Sequence, residues 1–458
     1  NYAAQIAGRG EGRTVQFYVE ATDALGARSF FPPGGPESRA LYRIGDDGTS
    51  TVGVHTFRII MIPEEADLLH TEIHAVSNRR LGATVIYNDR EVVYDAGVRL
   101  RGAPFSRRGT RTGWNIRFGS HDALRGVHST VSLDGGYSNP RGDGTGWIEV
   151  GGGAATNELI YNQIANYSGG IGASYDDLAY VDAPLENQDK MVQLKMARFG
   201  SLYLDSVYED GADGALFKQE LIYHPTGTID GNPESLKNPF STVRQVDITS
   251  LGGTGDPYRF NYIRSNLRWR DDYDGIIAMC EAFDLTDPEA RRIALEEALD
   301  MDAFMRKFAF TALTCTADTY NQSLAHNLEF YVRPGDGRVV ALPWDFDHAF
   351  YYATSANIFG QGKHRLAGII QIPQFRRLYL GHLLDLCQRG FHPDYIGDWV
   401  HHFNAVAGQT AVNDYTSWIG SRRNFVLSQL PARQPSVSFA ITSNNVADFA
   451  VSEPTVVL

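Results

Sequence analysis

This sequence predicts an α+β fold over residues 54–430, with a strand-rich first lobe and a helical second lobe. Three observations predict it. Short segments that alternate apolar and polar residues crowd the first half. Segments with apolar residues at three- and four-residue spacing crowd the second. Apolar residues make up 43% of the chain, enough for a packed core. Runs of strands followed by runs of helices are the pattern of such a fold.

Residues 1–48 come first. The stretch T-V-Q-F-Y-V-E-A-T-D-A-L-G-A-R alternates at period two, and F-F-P-P-G-G-P breaks the chain after it. This resembles the end of an immunoglobulin- or fibronectin-like β module. Strands are expected at 56–61, 81–87, 91–100, 114–118 and 191–204. One helix interrupts them: Thr156 is a plausible N-cap, residues 157–167 carry apolar side chains at helical spacing, and Gly169 and Gly170 end it. Helices are then expected at 287–298, 301–313, 372–389 and 415–430. Residues 435–458 read as the start of a further β module. The chain opens without Met or a leader and reads as part of a longer protein.

Charge and cysteine content narrow the function. Lys and Arg number 41 against 54 Asp and Glu, a net charge of −13. That balance disfavours nucleic acid or an anionic membrane surface as the main partner. No apolar run approaches the roughly 18 residues of a membrane span. Cys280, Cys315 and Cys387 lie far apart in apolar surroundings, so buried thiols are expected rather than a thiolate metal site.

The chemistry concentrates in residues 316–350. T-A-D-T-Y-N-Q-S-L-A-H-N-L-E-F-Y-V is followed by R-P-G-D-G-R and then V-V-A-L-P-W-D-F-D-H-A-F. An apolar helix is read to end at Asp318, and a loop leads to Asn327. Strands at 328–332 and 339–342 are joined by a turn at Gly335–Gly337. The second strand delivers Asp345 and Asp347. Phosphoryl transfer asks for a carboxylate that orients a hydroxyl and for oxygen ligands to a hard cation. A D-x-D alone is a weak signal, since Asp and Asn before strands also cap turns. The order and spacing of loop Asp, Asn, hairpin and D-x-D are more specific.

Further motifs are Y-D-A-G-V-R-L-R-G at 94–102, W-N-I-R-F at 114–118, A-L-F-K at 215–218 and E-L-I-Y-H-P-T-G-T-I-D-G at 220–231. Together with A-D-T-Y, H-N-L-E-F-Y-V and L-P-W-D-F-D-H-A-F, they resemble the spore-coat protein H (CotH) kinase family of atypical secreted protein kinases, over roughly residues 56–430. The resemblance implies a two-lobed atypical kinase-like domain with ATP in the cleft and Mg²⁺, or Mn²⁺ in its place. It implies Asp318 as catalytic base or hydroxyl-orienting group. Asn327 and Asp345 would be metal ligands, and Asp347 would hold a second ion. Asn321 stands as the alternative to Asn327.

For the phosphates, Arg117 and Lys218 are the candidate cations, with Glu158 orienting one of them. Ser106 lies in a turn, G-A-P-F-S-R-R-G-T-R-T-G, that would cover the nucleotide. The family often carries a Glu in a G-x-Y-x-x-x-E strand where this chain has Val207, beside Asp205 and Glu209. The implied function is transfer of the ATP γ-phosphate to Ser or Thr of exported or surface proteins, in a secreted or surface-bound bacterial multidomain protein. The alternatives are a non-catalytic kinase-like scaffold or transfer of another group such as AMP. Oligomeric state is not legible.

Overall fold

The computed structural model describes residues 6, 8–46, 53–71, 77–102, 107, 111–140, 147–150, 156–185, 191–223, 232 and 243–433. Ser106 and the β module expected at 435–458 lie outside them.

Strands β1 (Thr14–Gln16), β2 (Val19–Thr22), β3 (Arg28–Phe31) and β4 (Leu41–Arg43) form two antiparallel ribbons, β1 with β4 and β2 with β3. The first ribbon is fastened to the chain that follows it. Leu41 is buried, and its amide donates to Thr84 Oγ1 at 2.8 Å. Arg39 pairs with Glu65 at 2.8 Å.

Next come β5 (His55–Ile60), α1 (Pro63–Leu69), β6 (Leu81–Tyr87), β7 (Glu91–Arg101), β8 (Gly113–Arg117) and β9 (Thr130–Asp134). A ribbon of β10 (Tyr137–Pro140) and β11 (Trp147–Val150), helix α2 (Asn157–Ser168), β12 (Asp177–Asp182) and β13 (Met191–Met196) come after them. Seven of these strands close a barrel in the order β12-β13-β9-β8-β7-β6-β5. The seam is a parallel pair, with Ala179 opposite His55. Phe57, Val85, Val98, Leu100, Trp114, Ile116, Leu133 and Val181 fill the inside. Successive side chains on a strand face opposite ways. Arg99 and Arg101 on β7, Asn115 on β8, and Ser132 and Asp134 on β9 therefore lie on the outer face. Glycine is needed at position 113, because a Cβ there would sit 2.5 Å from the Leu133 carbonyl.

The remainder contains α3 (Ser201–Val207), β14 (Ala215–Gln219), the pair β15 (Ile222–Tyr223) and β16 (Val243–Arg244), and β17 (Tyr262–Arg264). Helices α4 (Asp274–Asp284), α5 (Pro288–Ala298) and α6 (Met301–Leu313) precede the hairpin of β18 (Leu328–Val332) and β19 (Val339–Pro343). Then come α7 (Leu366–Ile369), α8 (Pro373–Gln388), α9 (Pro393–Ala407) and α10 (Thr416–Arg433). A four-stranded antiparallel sheet, β17-β14-β18-β19, backs onto the helices. Helix α6 is buried almost throughout, and one core cluster joins its Phe304, Phe308 and Phe310 to Leu159 and Ile164 of α2 and to Leu194 of β13. The fold is mixed α+β.

Three local expectations are corrected. The strand expected at 191–204 ends at Met196, and residues 201–207 are helical. The alternation S-L-Y-L-D-S-V suggested a strand, but Leu202 is exposed while Leu204 is fully buried, so the two leucines do not share an inward face. Helix α6 stops at Leu313 rather than at Asp318, because Cys315 takes a left-handed backbone (φ 49°) that no α-helix continues. Thr156 stands at the N-cap position of α2, but its hydroxyl donates to the Ala411 carbonyl at 2.8 Å instead of capping the helix. All three cysteines are free and buried.

Candidate active site

The segment from α6 to Phe350 is held in an unusual backbone. Asp318, Asn321, Asn327, Asp345 and Phe350 all have positive φ. Asp and Asn tolerate this region better than other side chains do, because their short polar groups bond locally. The Asn327 amide nitrogen donates to the Asp318 carbonyl at 2.8 Å, which closes the loop on itself. The Ala317 amide donates to the His348 carbonyl at 3.0 Å, and the Phe350 amide donates to the Thr314 carbonyl at 2.8 Å. The turn carrying Asp318 is thus stitched to the segment carrying Asp345 and Asp347.

The side chains extend this meeting. His326 Nε2 lies 3.5 Å from Asp318 Oδ2. Burial works to raise the Asp318 pKa, but the His326 hydrogen bond and the charges of His326 and His348 hold it below the usual carboxylate value. The same contact holds His326 above its ordinary value against the opposing effect of burial. His348 Nε2 lies 3.9 Å from Asp347 Oδ2. Burial lowers the His348 pKa.

From the barrel, the end of β7 delivers Arg101. Its guanidinium contacts Asp134 of β9 and reaches Asp345 Oδ1 at 3.6 Å. Burial opposes its charge, yet Asp134, Asp345, Glu158 and Asp347 together hold its pKa above the ordinary value. From α2, the Asn157 amide donates to the Asp347 carbonyl at 3.0 Å. The neighbouring Glu158 is 3% exposed, and its Oε2 has no hydrogen-bond partner. Burial, then Asp176 and Asp345, push the Glu158 pKa well above the carboxylate range. Asp347 is pushed up in the same way by burial, Asp345, Asp134 and Asp318.

Lys218 of β14 stands on the other side. It pairs with Glu329 Oε1 on β18 at 3.0 Å, in register across the sheet, and its Nζ sits 3.6 Å from the centre of the Trp344 ring. Glu220, two residues on, is raised chiefly by burial and also feels Lys218, Asp345 and His326. Lys218 therefore meets Trp344, the residue immediately before Asp345.

Asp318, Asn327, Asp345, Asp347 and Glu158 are accordingly brought together, with Lys218 at the margin. Arg117 is not among them. It is exposed at the far end of β8, opposite Gly97, whereas Gly113 at the near end stands opposite Arg101. The barrel register puts four residues, about 13 Å of strand, between Arg117 and the place where β7 meets Asp345. Ser106 lies outside the described residues. Asn321 turns to a different segment, where its amide donates to the Phe359 carbonyl at 3.0 Å. Val207 lines a cavity of about 350 Å³ with Tyr203, Tyr208 and Asp300, which contains none of the acidic site residues.

Sequence reasoning passed over Arg101, Asp134 and Glu329. Arg101 was within reach: R-L-R at 99–101 alternates against buried Val98 and Leu100, which places both arginines on one outer face. Asp134 and Glu329 become visible only through the strand register.

The donor set suits a hard cation. It is all oxygen, from carboxylates and the Asn327 amide, whose nitrogen is already committed. Two carboxyls there, Glu158 and Asp347, are pushed toward protonation by burial and by neighbouring carboxylates, Asp345 and Asp134 acting on both. That is the electrostatics of a place short of positive charge, and a divalent ion would relieve it. Among the described residues, no three His, Cys, Asp or Glu side chains form a ready-made metal cluster. Mg²⁺ does not require one, since it is commonly held by one or two carboxylates, water and substrate phosphates.

Among known protein families, the family model described as CotH kinase protein matches residues 252–429. Asp318, Asn327, Asp345 and Asp347 fall inside that span, whereas Arg101, Glu158 and Lys218 precede it. No curated protein matches the chain. Among solved structures, the complex of the Shewanella oneidensis MR-1 toxin–antitoxin system HipA, HipB and its operator DNA matches at 14% identity, over 86% of this chain and 75% of that one, with a TM-score of 0.30.

Proposed function

We propose that this chain, whose residues 252–429 belong to the CotH kinase family, is a Mg²⁺-dependent phosphotransferase that moves the ATP γ-phosphate to a Ser or Thr hydroxyl of an exported or surface protein. The observation that carries this reading is the convergence of Asp318, Asn327 and Asp345 on one acidic site that also receives Arg101 from the barrel. The barrel and the helical part would serve as the two lobes of a kinase-like domain over 54–430. Residues 1–48 and 435–458 would then belong to flanking β modules. Limited proteolysis that cuts near 431–435 before 311–350 supports that division, and the reverse order contradicts it.

Each residue has a part. Asp318 accepts the hydroxyl hydrogen and aims the oxygen at the γ-phosphorus. Its depressed pKa keeps it ionised, which suits orienting a nucleophile in a loose transition state. The hydroxyl oxygen forms the new P–O bond as the bond to the β-phosphate oxygen breaks, and ADP leaves with that electron pair. Asn327 and Asp345 would hold the metal, with Asp347 and Glu158 behind them. Bound Mg²⁺ would supply charge neutralisation on the phosphates. Arg101 provides a fixed positive charge beside Asp345, and Lys218 a second through the Trp344 edge of the site.

The test uses thermal melting and label transfer. ATP with Mg²⁺ at about a hundred times its Kd stabilises by roughly 2.7 kcal/mol, and ATP with chelator does not. Asp345→Ala removes the metal-dependent part. Asp318→Ala keeps it and loses transfer from γ-labelled ATP. Transfer from α-labelled ATP instead would replace this reading by AMP transfer. No metal-dependent shift and no transfer would leave a kinase-like scaffold.

A further inference from the structure

Beside the acidic site the outer barrel face carries the opposite charge. Arg99 and Arg101 are two residues apart on β7, about 7 Å along the strand. Arg107 follows them, Arg198 comes in after β13, and Arg80 precedes β6. The stem of Arg80 lies across Gly97, where a Cβ would meet its Cδ at 3.1 Å, so the glycine leaves room for it.

Arg101 has Asp134 and Asp345 as partners. Among the described residues the other four do not contact carboxylates. Arg80 donates to the Asn115 carbonyl at 2.9 Å, and Arg99 to the Leu100 carbonyl at 2.9 Å. Arg107 donates to the Gly102 carbonyl at 2.7 Å and to Asn78 Oδ1 at 3.0 Å, and Arg198 to Ser132 Oγ. Among the described residues none of these four guanidinium groups makes an ion pair. Glu329 acts on Arg198 from a distance but is itself paired with Lys218.

The groups feel one another. Burial, then Arg99, Arg117 and Arg198, lower Arg80 to about 10. Burial, then Arg99 and Arg101, lower Arg107 to about 10. In a chain with a net charge of −13, four guanidinium groups on one face without carboxylate partners among the described residues offer a seat for an anion from outside.

We propose that Arg80, Arg99, Arg107 and Arg198 seat an acidic segment, Asp, Glu or phosphoserine side chains, of the protein that presents its hydroxyl to Asp318. The choice of occupant rests on the phosphotransferase reading. The nucleotide phosphates have Arg101, Lys218 and the metal ligands at Asp345. The four further arginines run outward from there along the barrel face, where the acceptor chain would lie. Carboxylate and phosphate match the planar guanidinium fork by paired hydrogen bonds.

The test is binding of a fluorescent Ser-Glu repeat decapeptide to the full chain, followed by anisotropy in chelator without nucleotide. Ser-Gln and Ser-Lys repeats are the controls. The Ser-Glu peptide should bind tightest and weaken as salt rises. Arg99→Gln and Arg80→Gln should each weaken it about tenfold, the worth of roughly one charge-assisted hydrogen bond. Arg198→Gln, on an exposed side chain outside the barrel strands, is the variant that keeps the test valid if the others melt early. Equal binding of Ser-Glu and Ser-Gln peptides overturns the proposal. So does a loss of ATP-dependent stabilisation in parallel with any loss of peptide affinity, which would make the face a nucleotide subsite. Selective Ser-Glu binding without any phosphate transfer would sustain the acidic-segment site while removing the catalytic reading.

Discussion

Lys307 of α6 is fully buried, and its ammonium has no hydrogen-bond partner. The centres of the Phe308 and Phe346 rings lie 4.6 Å and 5.8 Å from it. Burial alone brings its pKa from 10.5 to about 7. A shift of that size corresponds to about 5 kcal/mol of cost when the group is held charged. The two rings return on the order of 1–2 kcal/mol. Lys307→Met keeps the volume and removes the charge, so the variant should be more stable by roughly 3 kcal/mol at pH 6. The sign comes from proton binding. The folded state binds its proton less tightly than the unfolded state, so the penalty is full below pH 7 and fades as pH rises toward 10.5. Urea unfolding followed by circular dichroism at pH 6 and pH 9 measures both states. The gap between variant and wild type should narrow by about 2–3 kcal/mol across that interval. A variant no more stable than wild type at pH 6, or a gap that does not change with pH, refutes the reasoning.

Three other outcomes are expected from the packing and charge of the barrel and the acidic site. Trp114→Ala should cost about 3–5 kcal/mol in urea unfolding, because the side chain is fully enclosed in the barrel. Arg101→Met should destabilise by roughly 3–5 kcal/mol, since it strips Asp134 and Asp345 of their shared cation, and a smaller loss would mean that water reaches them. His326→Ala should cost stability mainly between about pH 4 and pH 6.5, the ordinary Asp and His values. The lowered Asp318 pKa contributes stability above the first value, which is lost as pH falls through the folded pKa. The raised His326 pKa contributes stability below the second, lost as pH rises through its folded value. A pH-independent loss in the variant would show that packing, not the ion pair, is what the histidine supplies.

The strands β5 to β8 and the hairpin of β18 and β19 were legible because alternation and turn residues are local signals. The body of the 301–313 helix was legible from its apolar spacing, but its end was not, because the left-handed turn at Cys315 leaves no mark in an apolar run. The barrel was not, because its closing pair joins Ala179 to His55 across more than a hundred positions, and nothing in either segment states its partner. Asp318, Asn327, Asp345 and Asp347 were read as candidates from order, spacing and the family resemblance, signals that chain direction preserves. The cations were harder. Arg117 and Arg101 both point outward, and only the register of β7 on β8 says which end of the ladder meets Asp345. Glu158 was noticed as an early-helix acid, but its missing partner is a property of packing. Glu329 was passed over because its link to Lys218 is a cross-strand pair.

The left-handed backbone at Asp318, Asn327 and Asp345 has a consequence for anyone selecting heat-resistant variants. Such conformations store on the order of 1 kcal/mol each, and glycine releases most of it. Random libraries screened only for survival at high temperature should therefore favour Asp345→Gly, which also relieves the crowded Asp347 and Glu158 carboxyls, over Asp318→Gly and Asn327→Gly, which forfeit the His326 contact and the hydrogen bond to the Asp318 carbonyl. The winners would be sturdier and would have discarded a carboxylate proposed to hold the metal. A screen on this protein that does not also demand turnover would drift toward inert molecules.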